Sequence, residues 1–291
     1  MTIDRGALLV EPGKAVVLAD YDPCSTGDFE TKGDAQKKLR ADLKRLSALQ
    51  DVFYADGRYA LSIVFEGMDT AGKDGAVKHV MSGVNPQGVD VHSFKTPSSE
   101  ERAHDYLWRS EKVLPQRGRI GISNRSYYEE VCIVRVHKTV LENEALPAED
   151  LTARLWDERF EDIIGFERHL VRNGTRILKF FLHVSREEQR RRLLARIDDP
   201  NKNWKLQPSD IDERPFWNAY QQAYEDILTN SSTADAPWYV IPADRKWFTR
   251  AAVADIIVAT LESLRLAYPA PDEAQSARLA RYREELAGAA C

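Results

Sequence analysis

An α/β fold built on a five-stranded parallel sheet, with helices on both faces, follows from three features of this 291-residue sequence. Five short apolar runs, at 61–65, 89–94, 119–123, 177–184 and 238–241, have the length and composition of strands. The segments between them carry apolar residues at helical three- and four-residue steps, so consecutive runs form strand–helix–strand units with parallel strands. The third feature is the stretch 66–75, EGMDTAGKDG, which directly follows the first run and opens a helical segment. In such sheets ligands sit beyond the carboxyl ends of the strands.

That stretch has phosphate-binding chemistry. Gly67, Gly72 and Lys73 have the glycine and lysine spacing of a phosphate-binding loop. The glycines let successive backbone N–H groups turn inward, and together with a helix N-terminus these hold phosphate oxygens while the lysine reaches further along the anion. Met68, Thr70, Ala71 and Asp74 complete the loop as candidate phosphate contacts, and Lys78 lies one turn further on. Asp74 stands where a serine or threonine ordinarily ligates Mg²⁺; Asp69, inside the loop, offers a carboxylate in compensation. An accidental match in a surface turn is the alternative, and the flanking strand and helix weigh against it.

Composition narrows the class. The chain is 43% hydrophobic and 30% charged with a net charge of −5. No global field draws it to nucleic acid or an acidic membrane, so any polyanion must meet a local basic groove. Cys24, Cys132 and Cys291 form neither a zinc spacing nor an even disulfide framework. No signal peptide and no membrane-spanning run is legible, which makes the cytoplasm the expected location.

The order of elements can be read directly. Residues 1–32 carry Pro12, Gly13, Pro23 and Gly27 and read as an extended N-terminal arm. A helix follows from Asp34, with Leu39, Leu43, Leu46, Leu49 and Phe53 on one face and a basic face that is either solvated or a wall beside the loop. The helix after the loop stops near Gly83 and Asn85-Pro86. Ser98 to Glu101 resembles a helix N-terminus, continued by Ala103, Tyr106 and Leu107. Helices are expected through Val136, over 151–171, from Ser185, from Ser209 past Leu228, and over 248–266. The main domain spans 33–268, with a lid at about 186–230, and 269–291 is a charged C-terminal tail.

After the third run, Arg125 can span two phosphate groups with its planar fork. Glu129 shares a face with Arg125 if the helix has begun there, and would then reach a metal or the acceptor; a local salt bridge is the alternative. The segment from Arg186 to Lys205 is locally basic around a turn containing Asn201 and Pro200, which suits a mobile lid. Arg190, Arg191 and Arg192 diverge around the helix, so Arg196, Lys202 and Lys205 are the preferred inward cations; a solvated hairpin is the alternative. Lys95, Arg102, Arg109, Lys112 and Arg117 could extend the groove. The six histidines lack metal-binding spacing, and Trp204, Trp217, Trp238 and Trp247 read as packing residues.

The motifs Gly67–Gly75, Gly83–Gly88, 124–129 (NRSYYE) and 196–205 (RIDDPNKNWK) together resemble the polyphosphate kinase 2 family over roughly residues 30 to 268. The resemblance implies a thymidylate-kinase-like P-loop fold with a helical lid. It implies Mg²⁺-dependent reversible phosphoryl transfer between inorganic polyphosphate and adenine nucleotides. The resemblance carries Asp69, Lys73 and Arg125 over as catalytic and Arg196, Lys202 and Lys205 as polyphosphate contacts; Glu129, from its own position, joins the catalytic set and is expected with Asp69 as a metal ligand. Asn124 replaces an aspartate common in the family. Tyr128-Glu129-Glu130 resembles the third class, which phosphorylates both AMP and ADP. A homo-oligomer, dimer or tetramer, is implied as well. The rival readings are an ATP-dependent nucleoside monophosphate kinase and a non-catalytic polyphosphate-binding protein.

Overall fold

The computed structural model describes residues 2–137, 139, 141, 146–147, 151 and 153–288; Cys291 lies outside them. Strand β1 (Ala60–Glu66) is buried at every position, as its unbroken apolar run requires of a strand covered on both faces. It pairs in parallel with β3 (Ile120–Asn124) on one side and β4 (Thr175–His183) on the other. β2 (Val89–Ser93) lies outside β3 and β5 (Trp238–Pro242) outside β4, giving the order β2-β3-β1-β4-β5 with all pairings parallel.

The longer helices are α1 (Lys32–Asp56), α2 (Lys73–Val80), α3 (Glu129–Val136), α4 (Leu155–Arg172), α5 (Arg186–Asp198), α6 (Trp217–Ser231), α7 (Lys246–Ser263) and α8 (Glu273–Gly288). α7 packs against α1 and α2 over one face, and α6 packs against α3 and α4 over the other. α1 starts where the Thr31 side chain accepts from Asp34 N at 3.2 Å, and its Leu46, Leu49 and Phe53 are buried. The basic face of α1 is no wall beside the loop. Lys38 is engaged by Asp42 and Asp255, and Arg45 by Glu262.

Three expectations change. The N-terminal arm is docked, with Ile3, Leu8, Val10, Val16, Leu18 and Phe29 in the core. Val10 N donates to Trp238 O at 2.9 Å and Leu9 bridges Tyr239, so the arm covers the outer border of β5. The helix begun at Ser98 has its capping box but ends at Arg102. There the Asp105 carboxylate accepts from Leu107 N at 2.9 Å, a turn that competes with helix. Pro215, which has no N–H to donate, separates the short helix Ser209–Asp212 from α6. α6, inside the lid expected at about 186–230, itself buries Tyr224, Ile227 and Leu228 in the core, and α5 buries Leu193.

A buried polar knot fixes the floor under the site. Lys179 Nζ donates to Glu167 Oε2 at 2.7 Å, and to Tyr128 OH and Ser231 O at 2.8 Å each, which uses all three of its protons. Trp217 and Trp238 are buried, whereas Trp204 is exposed. No helix among the described residues is long and apolar enough to cross a membrane.

Candidate active site

Strand register decides which side chains meet. Phe65 pairs with Asn124, so the carboxyl ends of β1 and β3 finish level. Arg125 N donates to Phe65 O at 3.0 Å. Arg125 then adopts φ +65°, in the left-handed region that few side chains enter. Its Nη2 lies 2.8 Å from Asp69 Oδ1. Asp69 and Arg125 line one cleft of about 100 Å³ with Gly67, Met68 and Glu129.

The loop has the backbone its glycines allow. Gly67 sits at φ +141°, and a Cβ there would come within 2.7 Å of Leu182 O, so no side chain fits. Gly72 at φ +110° caps α2. Thr70, although not glycine, has φ +61°, and its hydroxyl is buried with no partner among the described residues. A strained loop with an orphan donor suits a site completed by an anion. Lys73 Nζ folds back onto Gly67 O and lies 3.4 Å from Met68 O.

Electrostatics bind the set together. Burial works against the charge on Arg125, but Glu129 and then Asp69 outweigh it and raise the Arg125 pKa. Glu66, at the end of β1, is fully buried, accepts from Ser126 Oγ at 2.8 Å and leaves Oε2 unpartnered. Burial, then the charge of Glu129, pushes the Glu66 pKa well above the ordinary glutamate range, against the pull of Lys73. The sequence places Glu66 at the start of the loop stretch and assigns it no role; the structure makes it the last residue of β1.

Several anticipated contacts resolve differently. α3 begins at Glu129, so Arg125 and Glu129 do not share a helix face; they meet across the turn between strand and helix. Asp74 accepts from Asn124 Nδ2 at 2.5 Å. Arg196 donates to Asp210 Oδ2 at 3.0 Å and Lys205 O at 3.3 Å, Lys202 pairs with Asp199, and Lys205 lies over the Trp204 ring. These three are engaged within the hairpin. Lys78 is exposed on α2. Arg102, Arg109 and Arg117 donate to the backbone carbonyls of Pro97, Lys95 and Asn173.

The cation brought to the loop is Arg192. Its Nη1 donates to Thr70 O at 2.9 Å and Ala71 O at 2.8 Å, its Nη2 to Ala243 O, and its Nε to Glu188 at 2.7 Å. Burial lowers its pKa to about 10. Gln189, one turn earlier, donates to Asp69 O at 3.2 Å. The signal was present: Gln189, Arg192, Leu193 and Arg196 fall on one face of α5 at helical spacing.

A second, larger cavity of about 590 Å³ opens on the other side of Arg125 and Glu129, walled by Phe94, Tyr106, Arg109, Ile133 and Arg159 among others. Its size and partly apolar walls suit a nucleoside. No cluster of three or more metal-ligating side chains occurs among the described residues. Asp69 and Glu129 nonetheless line one cleft, and one or two carboxylates completed by phosphates and water is the usual setting of Mg²⁺.

With this geometry in view, the family model for polyphosphate kinase 2 matches residues 30–269. The chain belongs to the polyphosphate kinase 2 family. It is 47% identical over 287 residues to an ADP-polyphosphate phosphotransferase of Rhodopseudomonas palustris, covering 98% of this chain and 99% of that one. It is 43% identical to an AMP/ADP-polyphosphate phosphotransferase of Meiothermus ruber, covering 91% of this chain and 96% of the relative. A crystal structure of polyphosphate kinase 2 from Arthrobacter aurescens superposes with a TM-score of 0.86 at 39% identity, covering 96% of this chain and 95% of that one. The α/β architecture with its parallel sheet is thus that of the polyphosphate kinase 2 family.

Proposed function

We propose that the chain is a polyphosphate:nucleotide phosphotransferase that moves the terminal phosphoryl of inorganic polyphosphate to AMP and ADP. One observation carries this reading: the Asp69–Arg125 pair stands over the glycine loop, between a small phosphate-sized cleft and a nucleoside-sized cavity. The donor's last phosphate lies on the loop N–H groups, and Lys73 swings from the Gly67 and Met68 carbonyls onto it. Arg125 spans donor and acceptor phosphates with its fork, and Glu129 orients the acceptor. An acceptor phosphate oxygen forms the new P–O bond as the bridging P–O bond of the donor breaks, leaving a chain one unit shorter. The attacking oxygen is already anionic, so no strong base is needed; positioning and charge neutralisation supply the catalysis.

Asp69 and Glu129 would hold Mg²⁺, which when bound neutralises phosphate charge. Residues 186–216 act as the lid, with Arg192 and Gln189 tying its root to the loop. AMP as well as ADP is the acceptor by the Tyr128-Glu129-Glu130 pattern; the relatives differ here, one being named for ADP and the other for AMP and ADP. A cytoplasmic homo-oligomer is part of the same proposal, as the family resemblance implies. The test mixes purified protein with AMP, Mg²⁺ and either polyphosphate or ATP. Formation of ADP and ATP from AMP and polyphosphate is the expected result. Transfer from ATP alone would instead make the chain a nucleoside monophosphate kinase.

A further inference from the structure

Helix α8 (Glu273–Gly288) lies beyond the residues that the family model matches, and none of its described residues is buried. Its start is fixed locally, since the Asp272 carboxylate accepts from Gln275 N at 2.7 Å. A lone helix of 16 residues is marginal in water, and helices in proteins gain most of their stability from a packed apolar face. α8 has such a face and leaves it bare. Leu279, Tyr282 and Leu286 are all exposed and follow one another at steps of three and four, so they form one stripe along the helix. Gln275 continues the stripe toward the N-terminus. Charge borders it unevenly. Arg278 and Glu285, seven residues apart, flank one side, and Ser276 and Arg283, also seven apart, flank the other.

We propose that the α8 stripe is a seam between two copies of this chain, paired antiparallel, with Leu279 of each copy against the partner's Tyr282. The inference rests on the homo-oligomer reading above and names the surface that builds the assembly. A two-fold interface has to be complementary to itself. Reversing one helix against the other brings like flanks together, so each Arg278 meets the partner's Glu285 and each Arg283 meets the partner's Ser276. Both copies make the first of these contacts, which gives two opposite-charge pairs and no like-charge contact along the flanks. A parallel pair would instead set each Arg278 beside the partner's Arg283, and two repulsions would oppose it. Within the helix Glu285 stands 3.4 Å from Arg281 Nε. Both groups are exposed, and so weak a pair leaves the carboxylate open to a second guanidinium. The stripe is short, so the pairing is weak and its population follows protein concentration.

Analytical ultracentrifugation of the full chain over a range of concentrations is the test. Wild type should self-associate, and Leu279→Asp/Leu286→Asp should halve the mass of the assembly. Arg278→Glu should weaken association roughly tenfold, because two exposed pairs turn from attraction to repulsion. Arg278→Glu/Glu285→Arg rebuilds both pairs with their signs exchanged and should restore most of the loss. An unchanged mass for Leu279→Asp/Leu286→Asp would end the seam and leave a homo-oligomer built through another face. A wild type that stays monomeric at every concentration would end both. Tighter association of Arg278→Glu would mean parallel helices, and indifference to both charge variants would remove the antiparallel register; either result overturns the proposal. Melting temperatures within a few degrees of wild type separate lost pairing from misfolding.

Discussion

Asp69 and Lys73 sit on a loop whose shape is set by Gly67 and Gly72, so their side chains can be removed without emptying the core. Asp69→Ala and Lys73→Ala should each lower kcat by roughly a hundredfold or more, in line with loss of a preorganised charge, while the melting temperature stays near that of wild type. An Asp69→Ala enzyme with ordinary turnover would remove the metal assignment. Glu66 makes a different prediction. Its pKa is raised in the fold, so the protonated form is the one the fold prefers, and the associated stability is complete below the ordinary glutamate range and lost as pH rises through the raised value. Glu66→Gln, measured by thermal melting in metal-free buffer, should flatten that decline between the ordinary glutamate range and about pH 8. A wild-type stability that rises over the same interval would contradict it. Glu66 was invisible in the sequence because a carboxylate at a strand end looks like an exposed terminus until the neighbouring strands close over it. Arg125 was legible, since its place after an apolar run puts it at a sheet edge. Arg192 was passed over although its spacing from Gln189, Leu193 and Arg196 was in the sequence, because three consecutive arginines diverge around the helix and the inward choice fell on Arg196; the structure buries Gln189, Arg192 and Leu193 together.

At the scale of elements, the strands were readable almost to the residue, since an apolar run of strand length between helical periods has few other interpretations. Side chain-to-backbone turns were harder: Asp105 and Pro215 break helices that apolar spacing alone would continue. The arm was read, but its docking was not, because single buried residues hold it and no period repeats along it. Helix α8 is exposed over its whole length and buries nothing. Truncation at residue 270 should therefore change the unfolding free energy of the monomer by less than about 1 kcal/mol, the scale of surface changes, measured by denaturant titration. A larger loss would mean that α8 packs somewhere in solution. The knot under α3 behaves oppositely. Glu167→Gln leaves the buried Lys179 ammonium without its carboxylate and should cost about 3–5 kcal/mol. Glu167→Gln/Lys179→Met should recover much of that loss, whereas equal instability of the two proteins would show that shape rather than charge is at stake.

For the molecule as a whole, the sheet order places β1 between β3 and β4, so one loop is reached from both halves of the chain. Arg125 comes from the β3 side, and Gln189 and Arg192 from the β4 side. Asp69 and Arg125 satisfy each other, and that embrace has a thermodynamic corollary. A phosphate that recruits the guanidinium liberates the carboxylate for a cation, and a cation that captures the carboxylate frees the guanidinium for phosphate. The two guests should thus help one another by the same factor in either direction. Calorimetric titration should find Mg²⁺ several-fold tighter with tripolyphosphate present than without it, beyond what metal–phosphate association in solution explains, and Asp69→Asn should erase the surplus. Independent affinities would mean that the latch is ornamental. If the coupling holds, magnesium and phosphate each fill the centre more completely in the other's company than alone.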